Sequence, residues 1–316
     1  MTNAGAGQGA GGAVDDAGAV MWTAGRRAQA AHVSVARVFI GRLRRSRVGT
    51  VGFAMFASVL MAAALAPLIA PFDPREIVLE RRFLPPAFAG GLQAHLLGTD
   101  QLGRDIFSQI VHGARISMAI SILSVGGSFT IGVCVGVLAG FFGRSVDAVL
   151  MRWVDIMQSL PSLVVLLALI AVIGPKLSTI IIVFAFTWWG GYARIVRGEV
   201  LSVRRKEFTE AARAIGLHES RIMFRHILPN VISSAMALAA LSLGTIIIAE
   251  SALSYLGLSA DVVSWGRMLA AGREFVVTAW WLALFPGLAI VYTVLGVVFF
   301  GDWLRDFVDP RLRGRF

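Results

Sequence analysis

Six apolar runs constrain the fold of this chain more than any other feature of its sequence. The chain has 316 residues, of which 57% are hydrophobic and only 15% are charged, and its mean hydropathy is +0.75. A helix needs about 20 apolar residues to cross a bilayer, so such runs are typical of membrane proteins rather than of soluble domains. The sequence therefore predicts an all-α integral membrane protein with six transmembrane helices, at about 49–70, 116–142, 160–173, 177–193, 231–253 and 282–300. Between them, residues 143–158 are expected to form a short polar loop and residues 257–279 an outer loop.

The basic residues indicate how these spans are oriented. Five arginines lie directly before the first span: Arg37, Arg42, Arg44, Arg45 and Arg47. A basic cluster beside a first span favours the cytoplasmic side. With both termini inside, 21 of the 29 Lys and Arg residues fall on the cytoplasmic side and eight on the outer side. We therefore expect a multi-pass protein of a bacterial cytoplasmic membrane, with both termini in the cytoplasm.

The net charge of +10 also raises the possibility of nucleic-acid binding. That function needs a folded soluble surface, which a chain of this hydropathy does not offer. We expect membrane lipid, and no nucleic acid, among its partners.

A polar stretch at residues 204–229, the docking stretch, separates the fourth span from the fifth. Four residues in its first half recur at the i, i+3, i+4, i+7 spacing of one helix face: Phe208, Ala211, Ala212 and Ile215. Gly216 follows, where helices commonly end in the left-handed conformation that glycine adopts without strain. The small side chains would let a partner approach the backbone closely.

A second short helix is predicted over residues 219–227 of the docking stretch. Three residues would share one of its sides: Ile222, Met223 and His226. His218 at its start is a poorer N-cap than Ser or Asp, and Pro229 limits how far the helix can continue. Two short helices joined at a glycine form a compact element suited to docking, although an ordinary amphipathic helix pair would show the same pattern.

Part of the docking stretch resembles the EAA loop of the permease subunits of ABC importers. The matching residues are Glu210, Ala211, Ala212, Gly216, Ile227, Leu228 and Pro229. In that family the loop is cytoplasmic and inserts into a groove of an ATPase subunit. The resemblance therefore implies that these residues couple the chain to an ATPase.

Motifs outside this loop are similar to a narrower group, the C-type permease subunits of dipeptide, oligopeptide and nickel importers. They include LGTD-x-x-GRD-x-x-S at 97–108, Gly113-Ala114-Arg115, MRWVDIMQSLPSL at 151–163, SWGRML at 264–269 and the ending at 301–311. The resemblance covers nearly all of the chain after about residue 36. It implies a type I ABC importer permease fold with a cytoplasmic coupling-helix loop.

The same resemblance implies a set of partners and a cargo. The partners would be a second homologous permease subunit, two ATPase subunits and an extracytoplasmic substrate-binding protein. The implied cargo is short peptides, with nickel, glutathione or another small solute as alternatives.

The chain divides into four parts on these grounds. Residues 1–35 are rich in Gly and Ala and are expected to be a disordered cytoplasmic tail, with Met1 or Met21 as the translation start. Residues 36–90 carry the first transmembrane helix. The permease core extends over 113–302, and a cytoplasmic tail occupies 303–316.

Two carboxylates in the segment before the second span could be interpreted as a catalytic or metal-binding pair. They are Asp100 and Asp105, but Arg104 lies between them. His95 and His112 are not at a recognised metal-ligand spacing. We therefore expect a turn held by Asp–Arg contacts that leads into an amphipathic helix, and neither catalytic residues nor a metal.

No phosphate-binding loop is present in the sequence. The only two lysines, Lys176 and Lys206, do not follow a glycine as the G-x-x-x-x-G-K-[ST] motif requires. We expect no cofactor on this chain and no ATP hydrolysis by it; ATP would be bound by the partner subunits.

Two features inside the spans are open to more than one interpretation. Glu250, near the far end of the fifth span, either faces the bundle interior or a water-filled path, or reaches the interface. Gly132, Gly136 and Gly140 lie on one face of the second span, where small residues favour close packing within the chain or against a partner permease.

Three other classes of function were weighed. An autonomous ion-coupled carrier normally has several intramembrane charges, whereas Glu250 is nearly alone here. A membrane hydrolase needs a nucleophile beside a base, but all five histidines lie in polar segments. A non-transporting scaffold would have no ATPase partner at the docking stretch.

Overall fold

The computed structural model describes residues 35–308 of the chain. Regular structure in this part is helical, apart from an isolated antiparallel bridge between Thr99 and Asp105. One compact unit ends at Arg45 and a second begins at Ser46. Most of the predicted N-terminal tail, residues 1–34, lies outside the described residues, and so do residues 309–316 of the predicted C-terminal tail.

The helices follow one another with short connections except before the fourth. They are α1 (Val35–Arg45), α2 (Arg47–Ala64), α3 (Ala66–Ile69), α4 (Ile106–Phe142), α5 (Arg144–Ser159), α6 (Ser162–Ile173), α7 (Leu177–Val203), α8 (Glu207–Ala214), α9 (Glu219–Ile222), α10 (Leu228–Tyr255), α11 (Trp265–Gly272) and α12 (Trp281–Val308). A π-helical turn, Met223–Ile227, joins α9 to α10. Short 3-10 turns occupy Leu79–Arg81, Ala87–Ala89 and Arg273–Phe275.

Within residues 35–308, five helical elements are long and apolar enough to cross a membrane. They are α2, α4, α7, α12 and the continuous run Glu219–Tyr255. The pair α5 and α6 gives a sixth span if it is counted as one span that bends by 84°. Alone, α6 is only about 18 Å long at 1.5 Å per residue, which is too short for a bilayer core of about 30 Å. The predicted six-span helical fold is confirmed in this form.

Helices α4 and α7 pack against each other through the glycine face predicted for the second span. A methyl group at Gly136 would lie 2.6 Å from the carbonyl oxygen of Ala193, and one at Gly140 would lie 2.8 Å from Cβ of Val200. Gly132 meets Tyr192 even more closely. Only hydrogen fits at these positions, so packing within the chain is the role of this glycine face.

Helices α2 and α12 approach each other through glycines contributed by both. A methyl group at Gly52 would meet the backbone of Phe300 at 2.5 Å, and one at Gly296 would meet Met55 Cβ at 2.8 Å. Helix α12 also packs against α10 and α11. The second compact unit therefore joins its first and last spans directly.

Two predicted spans are longer than their apolar runs. Helix α4 begins at Ile106, ten residues before the predicted start, because the Asp105 carboxylate accepts a hydrogen bond from the Ser108 N–H at 2.7 Å and caps it. Helix α7 continues to Val203 instead of ending at 193. Its polar last turns still bury Val196 and Val200, which hydropathy alone does not reveal.

The segment 143–158 was predicted to be a polar loop, and that prediction is wrong. It forms α5, which buries Val154 completely. Two carboxylates of α5 pair with arginines of α7, Asp147 with Arg197 and Asp155 with Arg194. Distant partners therefore neutralise the charges that made this segment look like a loop.

The outer loop predicted at 257–279 contains helix α11. Ser264 caps α11, and Trp265 is buried, with its indole N–H donating to the Ile110 carbonyl oxygen at 2.9 Å. Helix α12 likewise continues to Val308, beyond the predicted end at 300 and into the predicted tail 303–316, with Trp303 buried.

Candidate functional site

The docking stretch begins with a helix that is fixed to the end of α7. In α8, Thr209 and Ala212 are buried, and the Thr209 hydroxyl donates to the Val203 carbonyl oxygen at 3.0 Å. Buried valines of α7 and apolar residues of α4 lie in the same hydrophobic cluster as Ala212. This contact positions α8 at the end of α7, where α7 packs against α4.

Gly216 ends α8 in the left-handed conformation, as predicted, with φ of 78°. The N–H of Gly216 donates to the Arg213 carbonyl oxygen at 2.9 Å, and that of Leu217 donates to the Ala212 carbonyl oxygen at 3.2 Å. These are the two hydrogen bonds of a Schellman motif. Nothing lies within 4 Å of a methyl group placed at Gly216, so backbone conformation rather than space favours glycine here.

The second half of the docking stretch is packed more firmly than its N-cap suggests. The Nδ1 atom of His218 accepts from the Ser220 N–H at 3.3 Å. Ile222, Met223 and Ile227 are buried and His226 is half-buried, so the side that Ile222, Met223 and His226 were predicted to share faces the interior.

Pro229 does not limit this helix, contrary to the prediction. The chain passes through the π-helical turn and directly into α10, with Pro229 in the first turn of α10. Proline is tolerated there because the first helical N–H groups need no intrahelical partner. The docking stretch is therefore rigidly continuous with a transmembrane span.

Three large apolar side chains are exposed among the polar residues of the docking stretch. Phe208 is 42% exposed, Ile215 76% and Phe224 61%. Phe208 and Ile215 belong to the face predicted from sequence. The sequence analysis missed Phe224, whose only local signal was a large apolar residue followed by two polar ones, Arg225 and His226.

The seven residues matched to the EAA loop divide between surface and interior. Glu210, Ala211, Gly216 and Pro229 are exposed, Leu228 is half-buried, and Ala212 and Ile227 are buried. An ion pair of 3.2 Å between Arg213 and Glu219 spans the glycine turn. The structure therefore places exposed apolar side chains and the Glu210 carboxylate on a base of buried residues, an arrangement suited to binding a protein rather than to chemistry.

Glu250 faces the interior, so the interior alternative is the correct one and the interface alternative is not. The residue is 3% exposed. Its Oε1 accepts hydrogen bonds from the hydroxyls of Ser254 at 3.0 Å and Ser264 at 2.9 Å. Since Ser264 also caps α11, Glu250 fastens α11 to the end of α10.

The segment before α4 forms the predicted turn held by Asp–Arg contacts. Asp100 accepts from the Arg104 side chain at 2.7 Å, from the Arg104 N–H at 2.9 Å and from Gln109 at 3.1 Å. Asp105 caps α4 and contacts Nδ1 of buried His95 at 3.0 Å, a pairing that the sequence did not suggest. Among residues 35–308, no group of three His, Cys, Asp or Glu side chains could hold a metal ion.

The connection between α10 and α11 carries an exposed ion pair. A hydrogen bond from Arg267, together with its charge, lowers the pKa of the Asp261 carboxyl below its ordinary value. This carboxylate is therefore ionised at neutral pH.

Sequence comparison identifies two family regions in the chain. Residues 132–314 match the family described as the binding-protein-dependent transport system inner membrane component. Residues 34–86 match the N-terminal transmembrane domain of oligopeptide transport permease C.

Curated relatives match over most of the chain. It is 37% identical to the dipeptide transport system permease protein DppC of Alkalihalophilus pseudofirmus, over 89% of this chain and 91% of that protein. It is 38% identical to the di/tripeptide transport system permease protein DppC of Pseudomonas aeruginosa, over 84% and 89%. The oligopeptide transport system permease protein OppC of Bacillus subtilis is 37% identical, over 86% and 88%.

A solved structure shares the fold. A permease chain from inward-facing conformations of the MetNI methionine ABC transporter aligns with a TM-score of 0.53 and 20% identity, over 64% of this chain and 96% of that one. The all-helical architecture is thus that of a type I ABC importer permease. Such a subunit is not itself catalytic, and its family works with ATPase and binding-protein partners in the bacterial inner membrane. On these matches, this chain belongs to the family of binding-protein-dependent transport system inner membrane components, as a C-type permease subunit of an ABC importer.

Proposed function

We propose that this chain forms one half of the translocation path of a short-peptide importer and couples ATPase closure to that path. The exposed apolar surface of Phe208, Ile215 and Phe224 carries the coupling proposal. Three large apolar side chains exposed within one short polar stretch favour a protein partner, because exposed apolar surface marks interaction sites.

The peptide cargo is supported by the relatives. They are named for dipeptides, for di- and tripeptides and for oligopeptides. The subunits around the chain would be a second homologous permease, two ATPase subunits that bind and hydrolyse ATP, and an extracytoplasmic binding protein. Both termini and the docking stretch would lie in the cytoplasm, where ATP is available.

The coupling would be mechanical. Movement of an ATPase would displace the docking stretch, and the buried contacts of Ala212 and Ile227 with α4 and α7 would transmit that displacement to the spans. Rocking of spans around a central path is the general logic of transporters.

Co-purification tests the coupling. The tagged chain would be isolated from native membranes as wild type, Ile215→Asp, Glu210→Lys and Gly216→Pro, and bound ATPase identified by mass spectrometry and by ATP hydrolysis. We expect each variant to insert normally and to lose most of the ATPase. Val277→Asp is the matched control, because Val277 is 96% exposed but lies far along the chain in the predicted outer loop.

Uptake of trialanine in the same strains tests the cargo. Wild type should accumulate the peptide and the docking variants should not. Retention of the ATPase by all three docking variants would contradict the coupling. Uptake of nickel or glutathione without peptide uptake would contradict the peptide cargo while leaving the coupling intact.

A further inference from the structure

Two adjoining cavities lie beside the N-terminal turns of α4, and together they form a region named here the mouth. The larger has a volume of about 790 Å³ and is bounded by Phe72 to Arg75, by the His112–Arg115 turn of α4 and by Val262 and Val263. The smaller, of about 240 Å³, shares Arg75, Val262 and Val263 with it. The two cavities are therefore neighbours on the predicted outer side.

Four guanidinium groups line the mouth, and only two of them are neutralised. Arg104 pairs with Asp100 at 2.7 Å, and Arg267 pairs with Asp261. Within residues 35–308, the side chains of Arg75 and Arg115 make no hydrogen bond or salt bridge. Asp73, the nearest carboxylate in sequence, accepts a hydrogen bond from the Arg75 backbone N–H at 2.8 Å. Because the carboxylates of Asp73, Asp100 and Asp261 also line it, the mouth has a net charge of +1, with the Arg75 and Arg115 side chains not held in an ion pair among the described residues.

The Arg115 side chain is exposed at the level of the outer part of the spans. Val111 and Ala114 line one apolar groove with Leu288 and Tyr292, which lie two to three turns inside α12. The tryptophans at the start of α12, Trp280 and Trp281, are typical of a membrane interface. Arg115 is therefore level with the outer part of the spans, where a guanidinium needs water or an anion.

The smaller cavity adds a hydrogen-bond acceptor. The Oε1 atom of Gln101 is buried and has no partner among the described residues, and Gln101 lines this cavity. A buried acceptor without a partner is unfavourable, and an N–H group of a ligand in this cavity would give it one. Guanidinium donors beside an amide acceptor complement a molecule that carries both a carboxylate and N–H groups.

We propose that the mouth is a receiving site for the peptide and that Arg115 and Arg75 bind its C-terminal carboxylate. Gln101 accepts a hydrogen bond from a main-chain N–H of the same peptide. The site rests on the proposed peptide cargo and adds to it the chemical group that the permease itself recognises. Bidentate guanidinium–carboxylate contacts are strong and directional, so a peptide arriving from a binding protein would be oriented as it enters.

Arginine modification tests the site without transport. The complex that co-purifies with the tagged chain would be placed in phosphatidylcholine nanodiscs and treated with phenylglyoxal, and each arginine would be quantified by mass spectrometry. We expect trialanine to slow modification of Arg75 and Arg115 several-fold and trialanine amide to have no effect. Arg152, an exposed arginine of α5, should react equally under all conditions.

A lipid phosphate is the competing source of an anion. Nanodiscs containing phosphatidylglycerol distinguish the two. Protection by this lipid with none by trialanine would show a lipid site and overturn the proposal. Equal protection by trialanine and its amide, or by neither, would overturn it as well.

Transport by variants provides the second test. At saturating binding protein, Arg115→Gln should lower trialanine uptake at least tenfold, Arg115→Lys should recover most of it, and Arg152→Gln should match wild type. ATP hydrolysis by the complex should persist in all three. Normal uptake by Arg115→Gln would overturn the proposal. If wild type shows carboxylate-dependent protection but no trialanine uptake, the peptide cargo fails and the carboxylate site stands.

Discussion

Gly136 sets the distance between the axes of α4 and α7. Its Cα faces the carbonyl oxygen of Ala193 and the side chain of Val196, and any larger side chain would overlap both. Gly126 lies on the same helix, where a methyl group would have nothing within 4 Å. The two positions separate the effect of contact from the effect of helix propensity.

We expect Gly136→Ala to lower the free energy of unfolding by about 1–3 kcal/mol, the usual result of overpacking. Gly126→Ala should leave it unchanged or raise it by up to about 1 kcal/mol, since alanine is the better helix former. Thermal unfolding in detergent measures both. Equal stability of the two variants would show that α4 and α7 are not in contact at Gly136.

Glu250 links α10 to α11 by accepting hydrogen bonds from the hydroxyls of Ser254 and Ser264. Glu250→Gln keeps an acceptor oxygen for Ser254 and Ser264, whereas Glu250→Ala leaves both buried hydroxyls without one, at about 1–3 kcal/mol. We expect the alanine variant to speed hydrogen exchange in Trp265–Gly272 and the glutamine variant to resemble wild type. Glu274→Ala, an exposed change in the same loop, is the control. Unchanged exchange in Glu250→Ala would remove Glu250 as the link between α10 and α11.

Among the elements, α5 shows how far local pattern can mislead. Asp147, Arg152 and Asp155 made the segment polar, and their spacing alone gave no reason to prefer helix over loop. Arg194 and Arg197 lie about 40–50 residues later, so the ion pairs that hold α5 against α7 could not be predicted from local sequence.

The two ion pairs of α5 should differ in strength. Arg197 binds Asp147 with two nitrogens, and both side chains are at most one-third exposed, whereas Arg194 and Asp155 are more than half exposed. Double-mutant cycles with Asp→Asn and Arg→Gln should give a coupling energy of about 1.5–3 kcal/mol for the first pair. The second should give less than about 1 kcal/mol, as is usual for exposed pairs. A larger coupling for the second pair would contradict the packing of α5.

The docking stretch was more predictable because its signals are local. Gly216 takes the left-handed conformation that its position after a periodic helix indicated, and Ile222 and Met223 lie on the predicted inner side. Pro229 was misjudged because the preceding π-helical turn lets the chain reach the first turn of α10 without a break. The coupling role of these residues stays a prediction.

At the scale of the whole molecule, cysteine labelling can test the predicted orientation in the membrane, with the docking stretch in the cytoplasm and the loop at 257–279 outside. In a Cys134→Ala background, which removes the single cysteine, we would place one cysteine at Ile215 or at Val277. Both positions are at least three-quarters exposed. In right-side-out vesicles, an impermeant maleimide should label the Val277→Cys protein, and it should label the Ile215→Cys protein only after permeabilisation. The reverse result would place the docking stretch outside and contradict the charge-based orientation.

Hydropathy predicted the number of spans but not how they are built. The length of the apolar run identifies α2, α4, α7, α10 and α12, because each of these helices must be long enough to cross the hydrocarbon core of the bilayer. It could not show the 84° bend between α5 and α6, nor that the third run is only a half-span. The contacts of Glu250 with Ser264 and of His95 with Asp105 also depend on folding, since each joins different segments.

The run Glu219–Tyr255 is a single helical element of 37 residues. It is about 55 Å long, and a tilt of about 10° around its centre moves its two ends by about 5 Å in opposite directions. One end carries the docking stretch, and the other is fastened through Glu250 to the cap of α11. A tilt of this helix therefore couples the two sides of the bilayer. A displacement of the docking stretch moves the end that carries Glu250 in the opposite direction.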